Sequence, residues 1–165
     1  MKSWVLRSIA IFILFATPWA QAYVTYDVSG TSGTREDKTY TEAHLGLNWY
    51  VNDWFIWRNS VFSRFGDDYP TVYGLDTETL FKVDAYTQKR NLGVEFYIGP
   101  GARFASENYN AGFGKAGITF QLAGIRLGGG VQALYYLEDR FDNEGNLLKK
   151  DEVQTFITLS GGGTF

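Results

Sequence analysis

Hydrophobic and polar positions alternate with a period of two along several long stretches of the chain. Leu45, Leu47, Trp49 and Val51 form one set, and His44, Gly46, Asn48 and Tyr50 the other. Leu92, Val94, Phe96 and Ile98 alternate with Gly93, Glu95, Tyr97 and Gly99. Ala116, Ile118, Phe120 and Leu122 alternate with Lys115, Gly117, Thr119 and Gln121. Leu127, Gly129, Val131, Ala133, Tyr135 and Leu137 alternate with Arg126, Gly128, Gly130, Gln132 and Tyr136. Val153, Thr155, Ile157 and Leu159 alternate with Gln154, Thr158 and Ser160. A side-chain period of two is that of a β-strand. Helical periodicity is hard to find. The pattern predicts an all-β fold with eight strands, roughly 23–31, 40–51, 54–65, 74–85, 91–105, 111–122, 125–138 and 152–165.

The predicted connections alternate in length. Asn52-Asp53 and Ala123-Gly124 suit tight hairpins. The links 32–39, 66–73, 106–110 and 139–151 are long and polar. Residues 66–91 fit no single phase; a strand, a helical turn and a long loop all satisfy the sequence there. The stretch 54–65 loses phase after Asn59, where a bulge is expected.

These stretches have about the 9–11 residues that a tilted strand needs to cross a bilayer. Their polar sets would face water in a soluble sandwich and the lumen in a membrane barrel. The aromatics favour the second. Trp49, Tyr50, Trp54, Phe55 and Trp57 surround one tight hairpin, and Tyr69, Tyr73, Phe104, Tyr109, Tyr135 and Tyr136 sit near the opposite ends. Two such girdles suit the two interfaces of a membrane. The expected architecture is a closed antiparallel up-and-down transmembrane β-barrel.

Residues 1–22 are expected to be a cleaved signal peptide. Lys2 and Arg7 precede the apolar run Ile9 to Ala16, Pro18 breaks it, and Ala20-Gln21-Ala22 supplies an A-x-A site. The remaining domain, 23–165, has 13 basic and 18 acidic residues, a net charge of −5. That balance argues against nucleic acid as a partner. It carries 11 Phe, 11 Tyr and 3 Trp with few prolines, a composition suited to sheet. There is no cysteine and a single histidine, so neither disulfides nor a structural zinc site is expected. No metal or cofactor is expected.

The last stretch sets Val153, Thr155, Ile157 and Leu159 in one phase and ends in Phe165. In this the chain resembles the outer-membrane β-barrel superfamily, in particular its small eight-stranded OmpA/OmpX-like members. Gly161 and Gly163 depart from the pattern, where larger apolar residues are usual. The resemblance covers the whole mature chain in layout and the last strand as a motif. It implies an outer-membrane location, with Phe165 as an assembly signal read by the barrel-assembly machinery.

Candidate chemistry is sparse. His44 is followed by Leu45 and Gly46, so the His-x-Ser pair of the lipid A deacylases is missing. A Ser–His pair made across strands stays open. His44, Arg58, Glu95, Lys115 and Arg126 fall on polar phases and form a candidate lumen network. Eight strands leave an interior that side chains just fill, so these charges must pair; Arg126 with Glu95 or another carboxylate is the expected pair. The acidic link around Asp139 to Asn146 is Ca²⁺-like in composition but lacks EF-hand spacing. Gly128-Gly129-Gly130 and Gly161-Gly162-Gly163 form a candidate glycine patch. If Ile125 and Phe165 share one rim, paired numbers sum to 290 and Gly129 faces Gly161.

The functional expectation is a non-enzymatic integral outer-membrane protein whose wall anchors external loops. Its partners would be outer-membrane lipid, lipopolysaccharide, the assembly machinery and a loop partner that the sequence does not name. Two alternatives come from other classes. One is a lipid A-modifying barrel enzyme using His44. The other is a soluble exported barrel binding an apolar ligand.

Overall fold

The computed structural model describes residues 23–35, 38–67, 69–88, 92–122 and 125–161. The ten strands are β1 Tyr23–Arg35, β2 Lys38–Asn52, β3 Phe55–Phe65, β4 Val72–Gln88, β5 Leu92–Ala105, β6 Ala111–Leu122, β7 Ile125–Tyr136, β8 Arg140–Phe141, β9 Leu147–Leu148 and β10 Asp151–Gly161. Eight of them close a barrel in the order β1-β10-β7-β6-β5-β4-β3-β2, while β8 and β9 form a separate two-stranded hairpin. Each barrel strand pairs antiparallel with the next along the chain, and β10 closes on β1. This is the predicted closed up-and-down barrel, and closure leaves no unpaired edge.

The alternation sorts the side chains as expected, with polarity inverted relative to a water-soluble core. Along β3, Ile56, Arg58, Ser60, Phe62 and Arg64 are buried inside, and Trp57, Val61 and Phe65 are exposed outside. Val83, Ile98 and Ile157 on the outer surface are 69, 64 and 68 % exposed, whereas Glu42, Arg64, Glu78, Arg103 and Gln154 inside are nearly inaccessible.

Four expectations need correction. The link at 32–39 is not a long loop: the β1–β2 ladder runs on to Arg35↔Lys38. In 66–91 the helical-turn and long-loop readings fall, and the expected strand 74–85 is present as the longer β4, with an irregularity between Asp84 and Tyr86. Its phase was hidden because its inward set mixes Val72, Asp76, Glu78, Leu80 and Lys82, and its outward set mixes threonines with apolar residues. A bulge then flips the parity. β3 keeps phase throughout; the bulge sits instead in the β2–β3 ladder between Tyr50 and Asn52, beside the hairpin.

The fourth correction concerns the β7–β10 register. Gly129 faces Ile157 and Leu127 faces Leu159, so paired numbers sum to 286, not 290. A shift by an even number keeps every side chain on its face, which is why the phase of both strands was right and their pairing wrong. Gly162, Gly163, Phe165, the turn Ala123-Gly124 and the expected signal peptide lie outside the described residues.

The girdle residues divide. Trp54, Trp57 and Phe81 are exposed at the short-turn end, Trp54 stacks on Phe81, and Trp49 lies against Trp57. At the long-loop end Tyr73, Phe104 and Tyr135 are exposed. Tyr50, Tyr69, Tyr109 and Tyr136 are buried in the barrel or its mouth, not in a girdle.

Candidate functional site: the barrel interior and its mouth

The interior is filled by charged side chains joined across the lumen. Near its middle, Arg58 from β3 donates to Asp27 of β1 through Nε (2.9 Å) and Nη2 (2.6 Å), to Ser60 Oγ (3.2 Å) and to Glu78 of β4. Lys115 Nζ on β6 reaches Glu78 at 3.0 Å, and Asn48 donates to Asp27 at 2.7 Å. Charges this buried persist only when paired and hydrogen-bonded.

Toward the long-loop end, Glu42 is a hub. Its Oε1 accepts from Arg64 Nε (2.7 Å), Arg103 Nη1 (3.0 Å) and Gln154 Nε2 (3.3 Å), and its Oε2 from Arg103 Nη2 (3.0 Å). Arg103 also grips Asp76 with two bonds of 2.8 Å. These residues come from β2, β3, β4, β5 and β10, so the hub ties opposite walls together.

His44 is buried between two carboxylates, with Nε2 at 3.0 Å from Glu42 and Nδ1 at 3.7 Å from Asp76, and its ring stacks on Phe62. Its contacts among the described residues are thus those of a network member.

At the short-turn end the expected Arg126–Glu95 pair is absent. Arg126 donates to the hydroxyls of Tyr50 and of Tyr23 (3.2 Å), whose rings stack at 4.3 Å. Glu95 instead faces Lys82 at 3.3 Å. Arg126→Leu therefore strands two hydroxyls and no carboxylate. It should lower the unfolding free energy by about 2 kcal/mol, read from the urea midpoint of the folded barrel. A loss beyond about 4 kcal/mol would mean that a buried carboxylate depends on it after all. A cavity of about 40 Å³ lies above this end, bordered by Asp27, Tyr50, Arg58, Tyr97, Lys115 and Arg126, with room for a few waters.

The five expected network residues all line the interior, in three separate clusters. The missed members, Asp27, Glu42, Arg64, Asp76, Glu78 and Arg103, outnumber them. Half were recoverable by extending the phase: Glu42 is two residues from His44, Arg64 is six from Arg58, and Arg103 is eight from Glu95. Asp76 and Glu78 lay in the segment whose phase was ambiguous.

The glycines have a different role from the expected patch. Tyr97, Gly117, Gly130 and Phe156 are successive cross-strand partners on β5, β6, β7 and β10. The row reads large, small, small, large, and the two outer rings close over the glycines. A Cβ on Gly117 would stand 2.5 Å from the Tyr97 hydroxyl, and one on Gly130 2.9 Å from the Phe156 ring. The same opposition recurs at Tyr40↔Gly33, Phe62↔Gly74 and Phe113↔Gly101. Each ring covers backbone that its glycine leaves bare. Gly161 faces Tyr26 on the outer surface, far from the 128–130 triplet in pairing terms.

Over the long-loop end lies the β8–β9 hairpin, whose ladder pairs Arg140↔Leu148 and Phe141↔Leu147 and is continued by the Asp142 N–H donating to the Asn146 carbonyl at 3.1 Å. Its tip crosses the mouth: Asn143 Nδ2 donates to the carbonyl of Asp67, in the loop after β3 on the far wall. Arg140 points down and is buried. Phe141 and Leu147 are exposed on the other side. Beneath it Tyr40, Tyr69, Tyr109 and Tyr136 fill the mouth. No protein-family model matches the chain, and no curated protein matches it either.

Proposed function

We propose that this protein is an integral outer-membrane barrel of the OmpA/OmpX-like kind, without catalytic activity, whose wall carries the long-loop end as an external interaction surface. The observation that carries this reading is the inverted polarity. Leu45, Leu47, Val61, Leu75, Val83, Ile98, Phe120, Leu127, Val131 and Ile157 form an apolar outer surface. Soluble monomers rarely expose contiguous apolar patches larger than a few hundred Å². Lipid is the solvent that suits such a wall, and a closed barrel satisfies all its backbone groups there.

The filled interior supports an anchoring role over transport. The Arg103–Glu42 and Arg64–Glu152 pairs span the lumen, each between strands three apart in the eight-strand ring. The signal-like pattern of Lys2, Arg7, the apolar run from Ile9 to Ala16 and Ala20-Gln21-Ala22 fits export. The soluble-barrel alternative would need the apolar residues inside. The His44 enzyme alternative gains no serine partner from the observed contacts.

Fractionation of cells expressing the full chain tests the reading. The protein should be recovered with the outer membrane and released only by detergent, and unboiled samples should migrate apart from boiled ones. Trp49, Trp54 and Trp57 should also be quenched by brominated lipid after reconstitution. Recovery in a soluble fraction without detergent would overturn the membrane assignment.

A further inference from the structure

From the middle of the lumen to the short-turn end, the charges of the described residues do not balance. Four cations stand there: Arg58, Lys82, Lys115 and Arg126. Three carboxylates held away from water face them, namely Asp27, Glu78 and Glu95. A fourth, Asp84, is half in solvent. Distance assigns the pairs. Arg58 Nη2 grips Asp27 at 2.6 Å, Lys115 Nζ reaches Glu78 at 3.0 Å, and Lys82 Nζ lies 3.3 Å from Glu95. Arg126 is left over. Its contacts among the described residues are the hydroxyls of Tyr50 and Tyr23 and the face of the Tyr50 ring. A partly buried guanidinium with no carboxylate beside it calls for a counter-charge from elsewhere.

We propose that the cavity beside Arg126 is a binding site for one small monovalent anion, of halide size, held by Arg126, Lys115 and the Tyr97 hydroxyl. All three border that cavity. Their unspent hydrogen-bonding capacity is donor capacity. A guanidinium carries five N–H groups and Arg126 spends two on tyrosine oxygens; an ammonium carries three and Lys115 spends one on Glu78. The Tyr97 hydroxyl makes no hydrogen bond among the described residues. The two carboxylates on the border are already held, Asp27 by two bonds from Arg58 and Glu95 by Lys82. The single surplus cation sets the charge of the guest, and the space sets its size. About 40 Å³ takes roughly three waters at 10–15 Å³ each, or one halide with a water. Bonds from cationic N–H groups to an anion are of the strong, charge-assisted kind, and the closed interior strengthens them further.

The site rests on the closed barrel and not on the function proposed above, so a failed fractionation and a failed anion test are separate results. The test uses the purified full chain in a nonionic detergent. Sodium chloride replaces sodium gluconate stepwise at fixed ionic strength, gluconate being too large for the cavity. The thermal midpoint should rise with chloride and saturate, as binding to the folded state alone requires, and bromide should act in its place. Tyr97→Phe keeps the ring over Gly117 and removes the O–H. It should weaken the apparent affinity for chloride about tenfold, the worth of one hydrogen bond to a charged group. Arg126→Leu should abolish the chloride response. Crystals grown in bromide should show an anomalous peak within hydrogen-bond reach of Lys115 Nζ. If Arg126→Leu does not fold, Tyr97→Phe and the bromide crystals carry the test. Equal midpoints in chloride and gluconate, a chloride response unchanged in Tyr97→Phe and Arg126→Leu, or water alone in the cavity of the bromide crystals would overturn the proposal.

Discussion

Glu42→Ala should destabilise the barrel by about 4 kcal/mol, the largest loss expected from a single interior truncation. Glu42 is wholly buried and accepts from Arg64, Arg103 and Gln154 while facing His44 at 3.0 Å. Its removal leaves Arg64 relying on Glu152 and the Tyr136 hydroxyl, and Arg103 on Asp76 alone. Two guanidiniums then share less negative charge in a space that little water reaches. Glu42→Gln should lose less, because it still accepts hydrogen bonds, though without charge. Tryptophan fluorescence during urea titration of the refolded protein measures both. A change below about 1 kcal/mol for Glu42→Ala would show that the hub is redundant.

Gly130→Ala should be the next most damaging, at about 3 kcal/mol, and Gly129→Ala should cost under about 1 kcal/mol. The neighbours differ in the two directions. A Cβ on Gly130 points inward and would overlap the Ala116 carbonyl and approach the Gly117 Cα at 2.6 Å; both are backbone and cannot swing aside. A Cβ on Gly129 points outward and meets only the Phe156 carbonyl at 3.0 Å. The pair of variants shares chemistry and strand, so β-propensity cancels in the comparison. Paired urea titrations decide it. Equal losses, or a larger one for Gly129, would mean that close approach of the Ala116 and Gly117 backbone is not the reason for glycine at 130.

Strand existence and facing were legible because alternation is a local property. A strand presents residues two apart to one face whatever lies beyond it, so Leu45, Leu47 and His44, Asn48 could be assigned to opposite sides from the chain alone. The same logic placed Arg58, Lys115 and Arg126 inside. It failed in β4, where neither face is uniform, and at the bulges, where one extra residue changes the parity. It could not set the β7–β10 pairing, because every even shift satisfies the same alternation. The observed shift of four is set by the whole ring of neighbours, β1 included, as the barrel closes.

Partner choice among the charges was likewise beyond the chain. Phase put Arg126 and Glu95 on the same interior side, yet only the packed barrel shows that Arg126 ends between two tyrosine hydroxyls and that Lys82 takes Glu95. The glycine runs were visible; that Gly33, Gly74, Gly101, Gly117 and Gly130 each oppose an aromatic ring on a neighbouring barrel strand depends on register. The roof is the clearest case. Residues 139–151 read as a polar loop, and nothing in their order says that Arg140 turns inward while Phe141 turns out. That choice is made by Tyr109, Tyr136 and Glu152, which come from distant parts of the chain and meet only when the barrel brings their ends to one mouth. What the sequence determined by itself was therefore the period and the sign of each face, which follow from backbone geometry. Which face meets which partner was decided by closure, because pairing energy depends on distances that no local pattern encodes.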